Sequence, residues 1–231
     1  MTRQIFASAL FAGVAAGALA FLLQYVFINP LIIEGELYET GVRAHFAASL
    51  DAPVQSPAGL DVETERDLAR DIQSFGFALI TYTAFALILV GTMMLADRFG
   101  RSVTPRQGIV WGLAAFAAIQ LAPAFGLPPE LPGTVGAEIG QRQGWWLFCA
   151  GMTGLGLGLI AFGPGLVLPI LGIAAIAAPH LVGAPHLDTY FGVAPPELSA
   201  RFATASLAVS AASWTILGLL ASTFMNRFRE N

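Results

Sequence analysis

Long apolar runs alternate with polar stretches along the whole chain. Six such runs cover residues 5–28, 72–96, 108–125, 145–162, 166–182 and 202–224. A hydrocarbon core of roughly 30 Å is crossed by about 20 apolar residues in a helix, and several of the runs meet that length. The pattern therefore predicts an all-α, polytopic membrane protein in which one transmembrane domain of six helices occupies residues 1–231.

The first run has a competing interpretation as a signal peptide, because Ala18-Leu19-Ala20 resembles a cleavage site. The apolar residues continue past that point to Phe27, whereas signal-peptide cores are only about 7–15 residues long. We therefore expect an uncleaved first helix. Gly13 and Gly17 have the spacing that lets two helices approach closely.

The turn after the third apolar run has a pattern that returns after the fifth. Each run ends on Ala-Pro, and each turn then reaches Pro-Pro-Glu-Leu, at residues 128–131 and 195–198. A weaker version follows the first run, where Asn29-Pro30 precedes Glu34. The repetition predicts three parallel helical hairpins, made of spans 1–2, 3–4 and 5–6, whose turns face one compartment.

Charge is divided unequally between the two sides of this arrangement. The two termini and the loop at 97–106 hold six arginines and two carboxylates, whereas the turns hold five arginines and thirteen carboxylates, most of them in an acidic outer loop over residues 29–71. Basic residues near short loops favour the cytoplasmic side. We therefore expect both termini in the cytoplasm and an outer face that attracts cations.

Composition excludes several classes of function. The chain has 231 residues, of which 56% are hydrophobic and 11% charged, and its one cysteine, Cys149, allows no intrachain disulfide. We interpret Cys149 as a small buried apolar residue. There is no phosphate-binding GxxxxGK[ST] loop, no HExxH and no GxSxG, and no basic surface for nucleic acid. The sequence predicts a protein that is not an enzyme and binds no permanent cofactor.

Three histidines, His45, His180 and His186, fall on the predicted outer side. Imidazole together with carboxylates suits a borderline divalent metal ion. His180 is the strongest candidate because it lies at the end of a span directly after Pro179, where the helix backbone loses a donor. The alternative is a helix-end histidine bonded to the backbone. His45 is expected to be an ordinary surface residue.

Glu130 and Glu197 occupy matching places in the two Pro-Pro-Glu-Leu motifs. A carboxylate on a proline-stiffened backbone suits a preorganised ligand, and it equally suits the N-terminal end of a helix; the sequence leaves both interpretations open. With Glu34 from the first turn, the predicted metal-binding set is His180, His186, Glu130, Glu197 and Glu34.

Several segments along the chain carry a family resemblance. They are Asn29-Pro30-Leu31-Ile32, Trp111-Gly112-Leu113, residues 121–133, Arg142 to Trp145-Trp146, residues 179–186, and Pro196-Glu197-Leu198 with Arg201-Phe202. Through them the chain resembles, nearly end to end, the CbtA family of predicted cobalt transporter subunits.

The resemblance implies that Co²⁺ is imported across a bacterial inner membrane in support of cobalamin synthesis. It also implies a partner, a small single-span, histidine-bearing subunit of the CbtB type. A homo-oligomer is left open. The competing hypothesis is a non-transporting membrane scaffold or assembly subunit, in which the prolines and carboxylates only shape turns.

Overall fold

A computed structural model describes residues 2–45, 68–189 and 191–228, and within these ranges the chain is helical apart from short turns and one small ribbon. The helices are α1 (Thr2–Phe27), α2 (Asn29–Glu39), α3 (Leu68–Arg98), α4 (Pro105–Phe116), α5 (Ala122–Ala124), α6 (Ile139–Phe162), α7 (Val167–Val182) and α8 (Pro196–Arg227), with a π-helical segment at Ala117–Leu121 joining α4 to α5. Strands β1 (Thr134–Val135) and β2 (Phe191–Gly192) pair antiparallel.

Five of these stretches are long and apolar enough to cross a membrane: Arg3–Phe27, Leu68–Arg98, Pro105–Ala124, Ile139–Phe162 and Pro196–Arg227. The all-α membrane architecture therefore agrees with the sequence pattern. The predicted count of six spans is not confirmed, because the fifth predicted span falls short. Helix α7 has 16 residues, which at 1.5 Å per residue rise about 24 Å and fall short of a core of roughly 30 Å.

The predicted outer loop at 29–71 contains a helix at its start. Pro30 lies in the first turn of α2, where its fixed φ favours a helix and its missing N–H costs nothing. Leu31 and Gly35 are one turn apart and both buried, so α2 packs rather than standing free. Residues 46–67 of the predicted loop lie outside the described residues.

Helices pack closely where glycine removes a side chain. A Cβ on Gly13 would overlap the Thr83 backbone, and one on Gly17 would press on Ala78, so the predicted close approach at these two glycines is confirmed between α1 and α3. At the α4–α8 crossing, a Cβ on Gly218 would collide with the backbone of Gly108. Small residues let backbones approach in this way where lipid supplies no hydrophobic drive.

One of these helix pairs, α1 with α3, is the predicted hairpin of spans 1 and 2, whereas the other two pairs differ from the prediction. Helix α1 packs on α3, and α4 packs on α8, whereas α7 packs on α6 and makes no contact with another helix of the described chain. The arrangement of three hairpins is thus not confirmed, because spans 5 and 6 do not touch. The glycines explain the observed α6–α7 pair, since Gly156 and Gly172 lie against each other's backbone.

The two ends of the bundle nevertheless separate as the repeat predicts. At the terminus end (residues 2–5, 99–105 and 222–228), the Gln4 side chain donates to the Phe228 carbonyl at 2.9 Å and the Asn226 amide to the Val103 carbonyl at 2.9 Å. At the turn end (residues 28–45, 125–139 and 180–198), a buried cluster joins all three turns through Leu31, Leu131 and Leu198.

We expect Gly218→Ala to destabilise the protein, because the added Cβ meets backbone atoms that cannot move aside. Overpacking of this kind costs about 1–3 kcal/mol. The measurement is thermal unfolding of the purified protein in detergent. Gly151→Ala on α6 is the control, since a Cβ there meets nothing within 4 Å. Equal unfolding midpoints for the two variants would contradict the packing described for α4 and α8.

Candidate functional site

Two neighbouring tryptophans at the start of α6 hold the turn end together. The Trp146 indole N–H donates to the Ile119 carbonyl at 3.1 Å. The α-helical donor to that carbonyl is missing because residue 123, four positions on, is a proline. The Trp145 indole N–H donates to the Pro179 carbonyl at 3.1 Å. Helix α6 is thereby bonded to the third span and to the end of α7.

His180 lies beside the second of these hydrogen bonds. Its ring makes edge-on contacts with Trp145, at a centroid distance of 6.1 Å, and with Phe125, at 6.0 Å. Its Nε2 lies 4.0 Å from Cys149 Sγ. The cysteine is fully buried whereas the histidine residue is exposed, so this pair reaches from the interior of the bundle to its surface.

Sequence reasoning missed Cys149 as a candidate ligand. It treated the residue as apolar filling, because no second sulfur or nearby histidine stands in the same segment. The signal that existed was weak: Cys149 is one turn after Trp145 on the same face of α6. What brings His180 to that face is the packing of α7 on α6, which the sequence pattern does not specify.

Thr153, one further turn along α6, has a buried hydroxyl that makes no hydrogen bond of full geometry among the described residues. Residues 149 and 153 share a helix face, and the hydroxyl interacts with the Cys149 thiol. Buried hydroxyls are normally satisfied. This face of α6 therefore offers a second polar atom beside the sulfur.

The other two histidines, His186 and His45, are also exposed. The Nδ1 atom of His186 lies 3.1 Å from the Leu187 carbonyl, and since a carbonyl only accepts, Nδ1 carries the proton. In the neutral ring Nε2 then keeps its lone pair for a ligand. His45 is exposed, as expected for a surface residue.

Arginines bind three glutamates of the turn end. Arg142 forms an ion pair with Glu130 at 2.5 Å, and Arg43 pairs with Glu34 at 3.1 Å. The guanidinium of Arg70 contacts both oxygens of Glu36, at 2.8 and 3.1 Å. Two of the predicted ligands, Glu130 and Glu34, therefore already have a cationic partner, and the turn end is less negative than its carboxylates alone suggest.

The two Pro-Pro-Glu-Leu motifs have different backbone structures. Residues 128–131 are irregular, whereas Pro196 begins α8 and places Glu197 in its first turn. An exposed carboxylate there is favoured by the helix dipole, which matches the second of the two interpretations left open for Glu197. The shared feature is the leucine, since Leu131 and Leu198 are both buried in one cluster.

The predicted five-residue metal set is not gathered into one centre. Among residues 2–45, 68–189 and 191–228, no group of three or more His, Cys, Asp and Glu side chains could hold a metal ion. The structure instead brings together two side chains of types that can bind a metal ion, Cys149 and His180. The roles of His180, His186, Glu130, Glu197 and Glu34 remain predictions.

A small cleft of about 160 Å³ lies beside the π-helical segment and reaches the prolines of the turn end. Its polar lining comes from Gln120, Ser206 and Ser210, and it opens next to Pro128 and Pro129. The Gln120 side-chain oxygen accepts a hydrogen bond from the Trp214 indole at 2.9 Å. Polar side chains at this depth are uncommon in membrane proteins and typically face a bundle interior or a water-filled cavity.

Glu138 caps the N-terminus of α6. Its two carboxylate oxygens accept from the backbone N–H groups of Gly140 and Gln141, at 2.8 and 2.9 Å. These hydrogen bonds favour the ionised form and lower the pKa of Glu138 below its ordinary value. The cap orders the start of the helix that carries Trp145 and Cys149.

We expect Trp145→Phe to speed the alkylation of Cys149 by a maleimide several-fold. The change removes one of the two donors to the Pro179 carbonyl, which keeps the Gly183 N–H at 3.0 Å, and it leaves space in the cluster of Ala122, Trp145 and Cys149. The net loss of one such hydrogen bond is about 0.5–1.5 kcal/mol. Trp146→Phe is the control, because it loses one similar hydrogen bond away from this cluster. Equal labelling rates in the two variants would contradict the role given to Trp145.

The cap predicts a specific pH dependence of stability. Because the pKa of Glu138 is lower in the folded protein, the stabilisation is fully present above the ordinary pKa of a glutamate and disappears as pH falls through the folded-state value. We expect the unfolding midpoint of Glu138→Gln to fall less between neutral and acidic pH than the midpoint of the unmodified protein. The measurement compares unfolding midpoints of both proteins across that range, and an unchanged pH profile would show that the cap contributes nothing.

The family model described as "Probable cobalt transporter subunit (CbtA)" matches residues 2–226, nearly the whole chain. No curated protein and no solved structure matches the chain. The match covers every described helix from α1 almost to the end of α8, including the tryptophan pair and the Cys149–His180 contact. The chain belongs to the CbtA family of probable cobalt transporter subunits.

Proposed function

We propose that this chain is the membrane-embedded transport subunit through which Co²⁺ enters the cell in support of cobalamin synthesis. In this proposal the turn end faces outward, both termini lie in the cytoplasm of a bacterial cell, and the protein resides in the inner membrane. The observation that carries the proposal is the contact between Cys149 and His180 at the turn end, in a chain of a transporter-subunit family.

The separation of the two side chains suits a shared metal ion. A thiolate sulfur at about 2.3 Å and an imidazole nitrogen at about 2.05 Å from a tetrahedral metal lie about 3.6 Å apart. The distance between Cys149 Sγ and His180 Nε2 is 4.0 Å, so a shift of a few tenths of an ångström would let both atoms bind one ion. Sulfur and imidazole favour late first-row divalent ions over Mg²⁺ or Ca²⁺.

A transported ion also needs ligands that it can leave. Two protein atoms supply only part of a coordination shell, and water or the buried Thr153 hydroxyl would complete it. Incomplete coordination suits cargo, because conduction requires binding weak enough for the ion to move on. The cleft lined by Gln120, Ser206 and Ser210 offers polar groups for such a next step.

The glutamates of the turn end take a supporting part in this proposal. Glu130 and Glu34 would bind a cation only by exchanging it for Arg142 or Arg43. Glu197 and His186 are exposed and can meet an arriving ion first. We therefore assign His186, Glu197, Glu130 and Glu34 to the approach of the ion, with His180 as the ligand that Cys149 assists.

The word "subunit" in the family description indicates that another component completes the transporter. We propose the small single-span, histidine-bearing CbtB-type protein as that component. We also propose that α7, the fifth predicted span, crosses the bilayer together with the irregular residues that flank it, so that the chain has six spans. Both proposals place the metal-ligating pair near the outer surface, where a partner that carries histidines could take part in coordination.

The ion pairs and hydrogen bonds of the turn end are also compatible with the scaffold hypothesis. The arginine–glutamate pairs and the tryptophan hydrogen bonds at the turn end would equally serve a subunit whose task is to hold its partner in the membrane. In that case Cys149 and His180 would be packing residues, and replacing them with side chains of similar size would leave metal entry unchanged.

The deciding experiment measures uptake of labelled Co²⁺ in cells that lack their own cobalt importers and express this chain with its partner. We expect His180→Ala and Cys149→Ser each to lower uptake by about tenfold or more, since even outer-shell partners of metal ligands contribute 10–100-fold in affinity. His45→Ala is the matched control at an exposed histidine. Undiminished uptake in the first two variants, at equal membrane abundance, would remove these ligands from the pathway.

A second readout separates binding from transport. Co²⁺ added to the purified protein should produce a thiolate-to-cobalt charge-transfer band in the near ultraviolet, and Cys149→Ser should abolish the band. A charge-transfer band without any uptake would show that the protein binds Co²⁺ at Cys149 but does not transport it. Absence of both the band and the uptake, with the partner present, would favour the scaffold hypothesis.

A further inference from the structure

A large apolar groove lies in the half of the bundle next to the terminus end. It has a volume of about 690 Å³, within the roughly 300–1,000 Å³ of small-molecule sites. Helices α3 and α6 form its sides and do not touch each other in the described chain, while α4 and Trp214 of α8 lie between them. The groove exists because α4 separates the two helices.

Small residues keep the groove open along its walls. Ala114 and Ala118 line it from the third span, and Gly154 and Gly158 line it from α6. A Cβ added to either glycine would meet nothing within 4 Å, so these glycines serve no helix contact, unlike Gly156 between them. The spacing of four residues places Gly154 and Gly158 on one face, and that face points into the groove.

The length of the groove corresponds to one leaflet of a bilayer. Its α6 wall runs from Ala150 to Phe162, a rise of about 18 Å at 1.5 Å per residue. Half of a hydrocarbon core of roughly 30 Å is about 15 Å. The apolar part of the groove thus starts near the terminus end and stops close to the middle of the membrane.

The mouth of the groove presents hydrogen-bond donors and positive charge. Arg101, Ser102 and Gln107 line it there. The Gln107 side-chain oxygen accepts from the backbone N–H and the hydroxyl of Thr104 in a capping box, which leaves its amide NH₂ as a donor. The mouth also adjoins the N-terminus of α4, where the helix dipole favours an anion. Among residues 2–45, 68–189 and 191–228, no carboxylate lines the groove.

We propose that the groove binds one anionic phospholipid from the leaflet next to the terminus end. Its phosphate lies at Arg101, Ser102 and the Gln107 amide, and one acyl chain lies between α3 and α6 along Ala114, Gly154 and Gly158. The apolar walls match the chain and the cationic mouth matches the headgroup, and neither feature alone would select this ligand. The proposal is independent of the metal site, which lies at the opposite end of the bundle.

The test titrates purified, delipidated full-length protein with dioleoylphosphatidylglycerol or dioleoylphosphatidylcholine and counts bound lipid by native mass spectrometry. We expect one phosphatidylglycerol to bind about five- to tenfold more tightly than phosphatidylcholine, because a basic side chain near an anionic headgroup contributes about one kcal/mol. Arg101→Gln should remove that preference while binding of phosphatidylcholine stays unchanged. Arg106→Gln, at an exposed arginine that does not line the groove, should keep the preference.

A second pair of variants tests the acyl chain. Gly158→Leu fills the groove and should weaken binding of both lipids several-fold, whereas Gly151→Leu, which also points into open space but lies outside the groove, should not. Water-soluble glycerol phosphate should fail to compete. Equal affinity for the two lipids in the unmodified protein, unchanged binding in Gly158→Leu, or competition by glycerol phosphate would each overturn the proposal.

Discussion

Backbone contact at glycines is the interaction on which this bundle depends. Inside a bilayer, lipid tails are as apolar as the helix surfaces, so helices gain little from leaving lipid and instead need close packing to associate. The chain provides it at Gly13 and Gly17 between α1 and α3, at Gly108 and Gly218 between α4 and α8, and at Gly156 and Gly172 between α6 and α7. At each of these crossings, a methyl group would collide with or press on the neighbouring helix.

The third crossing determines the candidate site. By joining α6 to α7, it sets the Pro179 carbonyl within reach of the Trp145 indole and Cys149 Sγ within 4.0 Å of His180. The pair therefore depends on a helix contact formed well below it in the membrane. The α4–α8 crossing brings α4 and Trp214 between α3 and α6. These two helices therefore stay apart, and the groove between them remains open.

The sequence predicted more of the architecture than of the site. Apolar run length identified the helices, and the repeated Pro-Pro-Glu-Leu motif correctly indicated that distant turns lie together, because Leu131 and Leu198 share a buried cluster. Helix pairing was predicted for α1 with α3 but not for the other helices, since a glycine in a sequence does not name its partner: a Cβ on Gly156 would meet Gly172, while one on Gly151, Gly154 or Gly158 would meet nothing within 4 Å. Cys149 could be recognised as a possible ligand only after that pairing was known.

The arginines of the turn end bear on how a cation would be selected there. With Glu130 bound by Arg142, Glu34 by Arg43 and Glu36 by Arg70, much of the local negative charge is balanced before any ion arrives. These pairs are only partly buried, and such pairs contribute little to stability. In the proposed transport role they would reduce the nonspecific attraction of abundant hard cations such as Mg²⁺. Selectivity would then come from ligand type, because a sulfur with an imidazole nitrogen favours late transition metals and carboxylates do not.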